Sequence, residues 1–319
     1  MPASREDVPL RKSSWATDFC LPWTGAAVNW LDLTVARISG QPVLGYLPGA
    51  TPAAEPTALA ALALAGHAQV QAATAAAQWL AEQQTASGAV GVRAGESQPG
   101  WPTSLAVVAW NAVDRRRWET SVRRAVDWLL SHRGKSIPRS EHFGHNSELV
   151  GWAYAENTHS WVEPTALAVL ALAADGRRDE PALGEAVTLL LDRQLPSGGW
   201  NYGNTYVLGQ LIRPHLQPTG LALLALAAAG VSGNAVAHSV DWLSAQLGPR
   251  TPVQSLAWSL LGLRAQGRLP VEADGWLETA GEALLNGTKA SGWAAAPQAS
   301  SAPSYRLALL ALAAKGWPR

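Results

Sequence analysis

The sequence places a carboxylate at the start of two nearly identical segments. Glu163 opens EPTALAVLALAA (163–174), and Glu55 opens EPTALAALALAG (55–66). An acid in front of a proline-started helix can accept the free N–H groups of the first turn, which stabilises the helix by about 0.3–1 kcal/mol. An acid held against apolar walls has a raised pKa and can donate a proton. The sequence leaves both roles open for Glu163, which is the candidate catalytic acid.

Two long connections hold most of the other polar and aromatic candidates, one before Glu163 and one after it. They span 133–162 and 200–219, and connections this long within a compact domain are usually functional. Following chain order, we expect them to lie side by side. Their candidate site residues are Glu148, Trp152, Glu156, His159, Trp161, Trp200, Tyr202, Arg213 and His215.

These residue types predict distinct roles. His159 or His215 is the expected orienting partner of an acid at Glu163, and Arg213 can bind an anionic group of a substrate. A lone histidine is more often a hydrogen-bonded structural residue, and the GGWNYG stretch that contains Trp200 and Tyr202 is also typical of a packing element. Glu148 and Glu156 are further candidates for substrate contact.

Metal and cofactor sites are not expected. Cys20 is the single cysteine, which excludes an internal disulfide and a thiolate-rich metal site. No two histidines have the i, i+4 spacing of a helical metal site. A metal bound by His142, His145 and His159 is the weaker alternative.

Composition narrows the class of protein. The 319 residues carry zero formal net charge and only 15% charged residues, so a nucleic-acid surface is not expected. The apolar runs at 165–174 and 221–229 are shorter than the roughly 18 residues needed to span a bilayer, and residues 1–12 lack the apolar core of a signal peptide. We expect a cytoplasmic protein without a transmembrane segment. Peripheral membrane contact and the oligomeric state stay open.

Two kinds of segment alternate along the chain, six of each. One kind is amphipathic and contains Trp30, Trp79, Trp128, Leu189, Trp242 or Trp276. The other follows a proline and is rich in Ala and Leu; its six copies are 55–66, 101–110, 163–174, 217–230, 251–263 and 302–316. A period of about 50 residues with paired helices and few strand signals predicts an all-α fold.

The second kind of segment has almost no polar face, so these helices must be surrounded by protein. A closed ring of six inner and six outer helices, an (α/α)6 toroid, meets that requirement better than an open solenoid, whose end helices need a polar face. We predict an N-terminal arm at 1–24 and a single toroid domain at 25–319.

Three stretches carry a family resemblance. QLPSGGW (194–200) fits the Q-x-x-x-G-x-W ending of the repeat of squalene-hopene cyclases, QTASGAV (84–90) is a copy with Val90 in place of Trp, and KASGWAA (289–295) is more degenerate. The chain thus resembles the terpenoid cyclase and protein prenyltransferase superfamily, which is built on the α/α toroid.

The resemblance implies a function but also shows departures. The D-x-D-D-T-A motif of the cyclases corresponds to WVEPTA (161–166), where Glu163 takes the place of the middle acid and Trp161 and Pro164 replace the flanking aspartates. The zinc ligands of the prenyltransferases and an aspartate-rich D-D-x-x-D motif are missing.

Three functions remain open from the sequence. The first is an isoprenoid-handling enzyme with acid-initiated (class II) cyclisation, in which Glu163 is the acid and Trp152, Trp161, Trp200 and Tyr202 face a developing carbocation. The second is a carbohydrate-active (α/α)6 enzyme with an acid and base drawn from Glu148, Glu156 and Glu163. The third is a non-catalytic binding or scaffold toroid.

Overall fold

The computed structural model describes residues 29–140, 143–287 and 305–318. The predicted arm at 1–24 with Cys20, the side chain of His142 and the stretch 289–295 lie outside these ranges. Within them the chain forms twelve α-helices: α1 (Trp30–Gly40), α2 (Ala54–Gly66), α3 (Val70–Glu82), α4 (Thr103–Asp114), α5 (Glu119–Ser131), α6 (Val162–Ala174), α7 (Pro181–Asp192), α8 (Leu216–Ala228), α9 (Asn234–Gln246), α10 (Val253–Ala265), α11 (Ala273–Leu285) and α12 (Tyr305–Lys315).

The even-numbered helices form a closed inner ring. Each packs against the next in the order α2, α4, α6, α8, α10 and α12, and α12 returns to α2. These helices are apolar on nearly all sides, and every residue from Val162 to Ala173 of α6 is buried. A helix without a polar face must be covered on every side, which the ring and the outer helices achieve. The predicted toroid is confirmed.

The odd-numbered helices form the outer layer. In α5 the buried positions are Val122, Ala125, Val126, Trp128 and Leu129, which lie on one side of the helix. Helix α1 contacts α2, α11 and α12, so the first outer helix covers the junction at which the ring closes.

The Pro-Thr pair that begins four inner segments has a structural role. Each threonine is fully buried, and its hydroxyl accepts the backbone N–H of a residue in the connection before the helix, at 2.8–3.1 Å. The pairs are Thr57 with Leu44, Thr103 with Val90, Thr165 with Trp152, and Thr219 with Trp200. This repeated bond fixes each long connection to the N-terminus of an inner helix.

The Q-x-x-x-G-x-W stretches join neighbouring repeats. Gln84 donates to the carbonyl of Ser121 on α5, and Gln194 donates to the carbonyl of Ala235 on α9. Gly198 has φ +87°, a conformation that favours glycine, and it turns the chain back so that Trp200 enters the core. The motif is therefore a structural element of the ring.

One element differs from the all-helical prediction. The strands β1 (Tyr206–Val207) and β2 (Gln210–Leu211) form an antiparallel hairpin within the connection 200–219. Two-residue strands are too short to produce a visible alternation of polar and apolar residues. In the described part of the chain, no helix has the length and apolar character that crossing a membrane requires.

Candidate active site at the N-terminal mouth of the ring

Glu163 lies where the N-termini of the inner helices meet. It is the second residue of α6, and the residue is 9% exposed. The phenol of Tyr154 donates a hydrogen bond to Oε2, and Nε2 of Gln217 on α8 donates to Oε1 at 2.8 Å. The connection before α6 and the neighbouring inner helix thus hold both oxygens of Glu163.

Glu55 occupies the equivalent position on α2. The phenol of Tyr46 donates to its Oε2 at 2.7 Å, and the phenol of Tyr305 on α12 donates to Oε1 at 3.4 Å. The charge of Glu163 raises the pKa of Glu55, and both carboxylates raise the pKa of Tyr154 and of Tyr305. The two acids therefore belong to one site, which we call the acid mouth (Tyr46, Glu55, Tyr154, Glu163, Gln217 and Tyr305).

Both acids are more easily protonated than ordinary carboxyl groups. Burial raises the pKa of Glu55 to about 7; the hydrogen bonds from Tyr46 and Tyr305 lower it, and the charge of Glu163 raises it. Burial also raises the pKa of Glu163, against the lowering effect of the hydrogen bonds from Tyr154 and Gln217. Burial outweighs the donated hydrogen bonds in both cases, so the mouth can hold protons near neutral pH.

Aromatic rings surround the acid mouth. The ring of Tyr154 lies 6.0 Å from that of Trp101 and 6.2 Å from that of Trp161. On the other side, Tyr46 and Tyr305 are 5.8 Å apart. A cleft of about 180 Å³ lies beside Trp101 and Tyr154, and Tyr154 is the acid-mouth residue among the described residues that line it.

The sequence prediction included Glu163 but not the tyrosines. Tyr46 precedes Glu55 by nine residues, and Tyr154 precedes Glu163 by nine residues. Alignment of the two E-P-T stretches would have shown this spacing, because GYLPGATPAAEPT (45–57) and AYAENTHSWVEPT (153–165) have the same length. The same alignment places Gln217 at the position of the acids, in QPT (217–219). Tyr305 could not be found this way, since it reaches Glu55 from the neighbouring helix α12.

The predicted orienting histidines take other positions. The ring of His159 packs 4.5 Å from Trp161, and burial lowers the pKa of His159. His215 precedes α8 and lies 5.3 Å from the ring of Tyr202. Neither histidine bonds to Glu163, whose partners are Tyr154 and Gln217, so the predicted role of an orienting histidine is corrected to these two residues.

Two of the predicted wall residues are packed in the core. The indole N–H of Trp152 donates to the carbonyl of Leu129 at 2.8 Å, and that of Trp200 donates to Leu190 at 2.6 Å. Trp200 is 0% exposed and Trp152 is 3% exposed. Their rings attach the connections to the preceding outer helices, which leaves Trp161 and Tyr202 as the predicted wall residues near the mouth.

The backbone carbonyl of Tyr202 accepts the N–H of Val162 at 2.8 Å, so the two long connections do lie side by side.

The remaining predicted residues are exposed and have partners of their own. Glu148 forms an ion pair with Arg139 at 2.9 Å, and Glu156 accepts a hydrogen bond from Gln98. The carboxyl group that interacts electrostatically with Glu163 is Glu55, and a pair of Glu163 with Glu148 or Glu156 stays a prediction. Arg213 is exposed, and its carbonyl accepts a hydrogen bond from Asn201.

No group of three His, Cys, Asp or Glu suited to a metal is found in the ranges that the structure covers. His145 is partly buried, and burial lowers its pKa to about 4, with further lowering by Arg193 and His159. His145 lies 3.3 Å from the hydroxyl of Thr205. It contributes to the attachment of the two connections.

The ring is filled behind the acids. Leu59, Leu167 and Leu221 lie one helical turn below Glu55, Glu163 and Gln217, and each is at most 4% exposed. Leu62, Leu170 and Leu224 form the next layer and are similarly buried. These leucine layers separate the acid mouth from the opposite end of the ring.

The closed ring of inner helices and the outer layer around it define the fold class, an all-α (α/α)6 toroid. The fold is shared with a protein from Actinoplanes that is 17% identical, with coverage of 90% of this chain and 96% of that chain and a TM-score of 0.54. Two structures of the type II terpene cyclase MstE from Scytonema are also similar, each at 15% identity. The one with the product merosterolic acid A covers 81% of this chain and 74% of that chain, with a TM-score of 0.48. The one with the substrate geranylgeranyl dihydroxybenzoate covers 82% and 76%, with a TM-score of 0.47.

These similarities concern the fold alone. No protein-family model matches the chain, and no curated protein matches it in sequence.

Proposed function

We propose that the acid mouth protonates an apolar, isoprenoid-type substrate and so starts a cyclisation of the class II kind. The observation that carries the proposal is the meeting of two carboxyl groups with raised pKa, Glu55 and Glu163, among the aromatic rings of Trp101, Tyr154 and Trp161. An acid whose pKa is raised by burial supplies the proton, and aromatic faces stabilise the resulting cation.

In the proposed step Glu163 gives its proton to one carbon of an alkene. The π bond is lost as the new C–H bond forms, and the positive charge moves to the other alkene carbon, where a second double bond of the substrate can attack it. Hydrogen bonds from Tyr154 and Gln217 stabilise the carboxylate that remains. The final cation loses a proton to the carboxylate of Glu163, which restores the acid.

The proposal is tested first by mass spectrometry of nonpolar extracts from cells with and without the protein. New isoprenoid products are expected, and purified protein should form them from a polyprenyl substrate. Glu163→Gln should reduce product formation by at least about 100-fold, the usual contribution of a positioned acid. Glu278→Gln, an exposed change on the outer helix α11, is the matched control and should keep full activity.

A non-catalytic binding toroid is the second candidate, and the leucine layers favour it. Leu59, Leu167 and Leu221 fill the ring directly behind the acids, so a substrate would have to bind above them. If no product forms in any extract while Glu163→Gln leaves the fold intact, the cyclisation proposal fails. A lipid recovered with the purified protein would then support the binding role.

A further inference from the structure

A second and larger cavity lies at the opposite end of the ring. Its volume is about 820 Å³, within the range of about 300–1,000 Å³ that is usual for small-molecule sites. Its walls come from the C-terminal halves of the inner helices, and the apolar lining includes Val108, Leu170, Ala173, Leu224, Ala227 and Leu261. The leucine layers separate this cavity from the acid mouth.

The rim of this cavity is basic. Arg115, Arg178, Arg264 and Lys315 belong to the residues that line it, and none of the aspartates and glutamates that the structure describes does. Asp175, outside the lining, is 3.4 Å from Arg115. For Lys315, no ion pair is found within residues 29–140, 143–287 and 305–318.

The arginines of the rim donate hydrogen bonds to carbonyl groups at the ends of the inner helices, but these bonds use only some of their N–H groups. Arg178 donates through Nε to the carbonyl of Ala228 at 3.1 Å, and Arg264 donates to that of Ala314 at 3.3 Å. A guanidinium group has five N–H donors, so several stay available to a ligand. Because each helix end also carries about half a negative charge, the rim attracts a free anion only weakly. A tightly bound ligand therefore needs an apolar part as well.

Two buried polar atoms of the lining residues have no hydrogen-bond partner among the described residues. They are Nε of Arg264, which is a donor, and Oδ1 of Asn111, which is an acceptor. Buried groups of this kind are usually paired in native proteins. Because both atoms are buried, a shift of each side chain is needed before a ligand or a water can reach them.

We propose that this cavity binds an anionic amphiphile, a molecule with an apolar body and a carboxylate or phosphate head. The body packs against the walls around Leu170, Leu224 and Leu261. The head lies at the rim and accepts hydrogen bonds from Arg178, Arg264 and Lys315. This binding site is separate from the acid mouth and does not depend on its chemistry.

The test is isothermal titration calorimetry with decyl phosphate, decanoate, 1-decanol and inorganic phosphate. Both anionic amphiphiles should bind at least about tenfold more tightly than decanol or phosphate, because a charge-assisted hydrogen bond and the burial of the chain each contribute that much or more. Decanol binding as tightly as decyl phosphate would overturn the role of the rim. Phosphate binding as tightly as decyl phosphate would overturn the role of the walls, and a lack of binding by both anionic amphiphiles would overturn the site.

Variants locate the binding in this cavity. Arg178→Gln combined with Lys315→Gln changes two exposed side chains and should weaken binding of decyl phosphate about tenfold while decanol binding stays the same. Ala227→Trp fills the cavity and should abolish binding of the amphiphiles, with an unchanged helical circular dichroism spectrum as the check on folding. Arg250→Gln, an exposed change outside the cavity, is the control and should have no effect. Unchanged binding by both the double variant and Ala227→Trp would contradict the proposal.

Discussion

The phenol of Tyr154 donates to the carboxylate of Glu163 across the same nine-residue separation that joins Tyr46 to Glu55. In both copies the tyrosine precedes the inner helix and the glutamate is its second residue. The bond therefore repeats with the fold, and it lowers the pKa of an acid that burial raises. The strength of each acid depends on the balance between these two effects.

Removal of the Tyr154 hydroxyl tests this balance. Tyr154→Phe should raise the pKa of Glu163 further, since the hydrogen bond that stabilises the carboxylate is lost. The free energy of unfolding should fall by about 1 kcal/mol, the usual net contribution of one hydrogen bond. Nuclear magnetic resonance of ¹³C-labelled glutamate carboxyl groups, followed across pH, measures the change in pKa.

Tyr206→Phe is the control for that experiment, because Tyr206 lies on the exposed strand β1 and makes no bond to Glu163. Tyr46→Phe should raise the pKa of Glu55 above about 7 in the same way. A fall in the pKa of Glu163 in Tyr154→Phe would contradict the arrangement described here.

The raised pKa of Glu55 makes stability depend on pH. Between about pH 4.5 and 7 the folded chain holds a proton on Glu55 that the unfolded chain releases. The stability from this group is therefore present below pH 4.5 and is lost as pH rises through 7. Relative to wild type, Glu55→Gln should gain up to about 3–4 kcal/mol between pH 4.5 and 8, since the pKa is raised from 4.5 to about 7 and one pKa unit corresponds to about 1.4 kcal/mol.

The quantity to follow is the difference in free energy of unfolding between wild type and Glu55→Gln, because other groups also titrate in this pH range. His145 has a pKa lowered to about 4, so its stability contribution is lost as pH falls from 6.5 to 4, opposite in sense to that of Glu55. This contribution cancels when urea unfolding of wild type and Glu55→Gln is compared at each pH. Parallel stability curves across this range would mean that the pKa of Glu55 is not raised.

The buried threonines offer a test of the repeat itself. Thr165→Val should cost about 1–3 kcal/mol, because the backbone N–H of Trp152 loses its acceptor in a buried place. Thr165→Ser keeps the hydroxyl and should cost less. Thr188→Val, on the exposed side of α7, is the matched control and should change stability by less than about 0.5 kcal/mol. Equal losses for the valine and serine variants would exclude the hydroxyl as the cause.

The inner and outer helices could be predicted from sequence because their hydrophobic patterns differ. In α6 apolar residues occur on all sides, whereas α5 has one apolar side and one side with arginines and an aspartate. A helix of the first kind must be surrounded by protein, and one of the second kind lies at the surface. Glu163 was found for the same reason, as a carboxylate at the junction between a polar connection and a fully apolar helix.

Other parts of the site depend on contacts between neighbouring inner helices, which no local pattern records. Tyr305 reaches Glu55 over 250 residues of sequence, and Gln217 reaches Glu163 over 54. Trp152 and Trp200 were predicted at the site because large aromatic residues suit both a wall and a core. Their indole N–H bonds to Leu129 and Leu190, which only the packed structure shows, place them in the core.

The last prediction concerns the coupling between the two acids. The charge of Glu163 raises the pKa of Glu55, so Glu163→Gln should lower the pKa of Glu55 from about 7 toward 4.5, while burial keeps it above that value. The same ¹³C measurement on glutamate carboxyl groups detects the shift, which should be about half a unit or more for a partly buried pair of like charges. Glu278→Gln removes a charge from the exposed outer layer and should leave the pKa of Glu55 unchanged. If the pKa of Glu55 is the same in wild type and Glu163→Gln, the two carboxylates act independently, and the proton donor then has to be identified from the activities of the single variants.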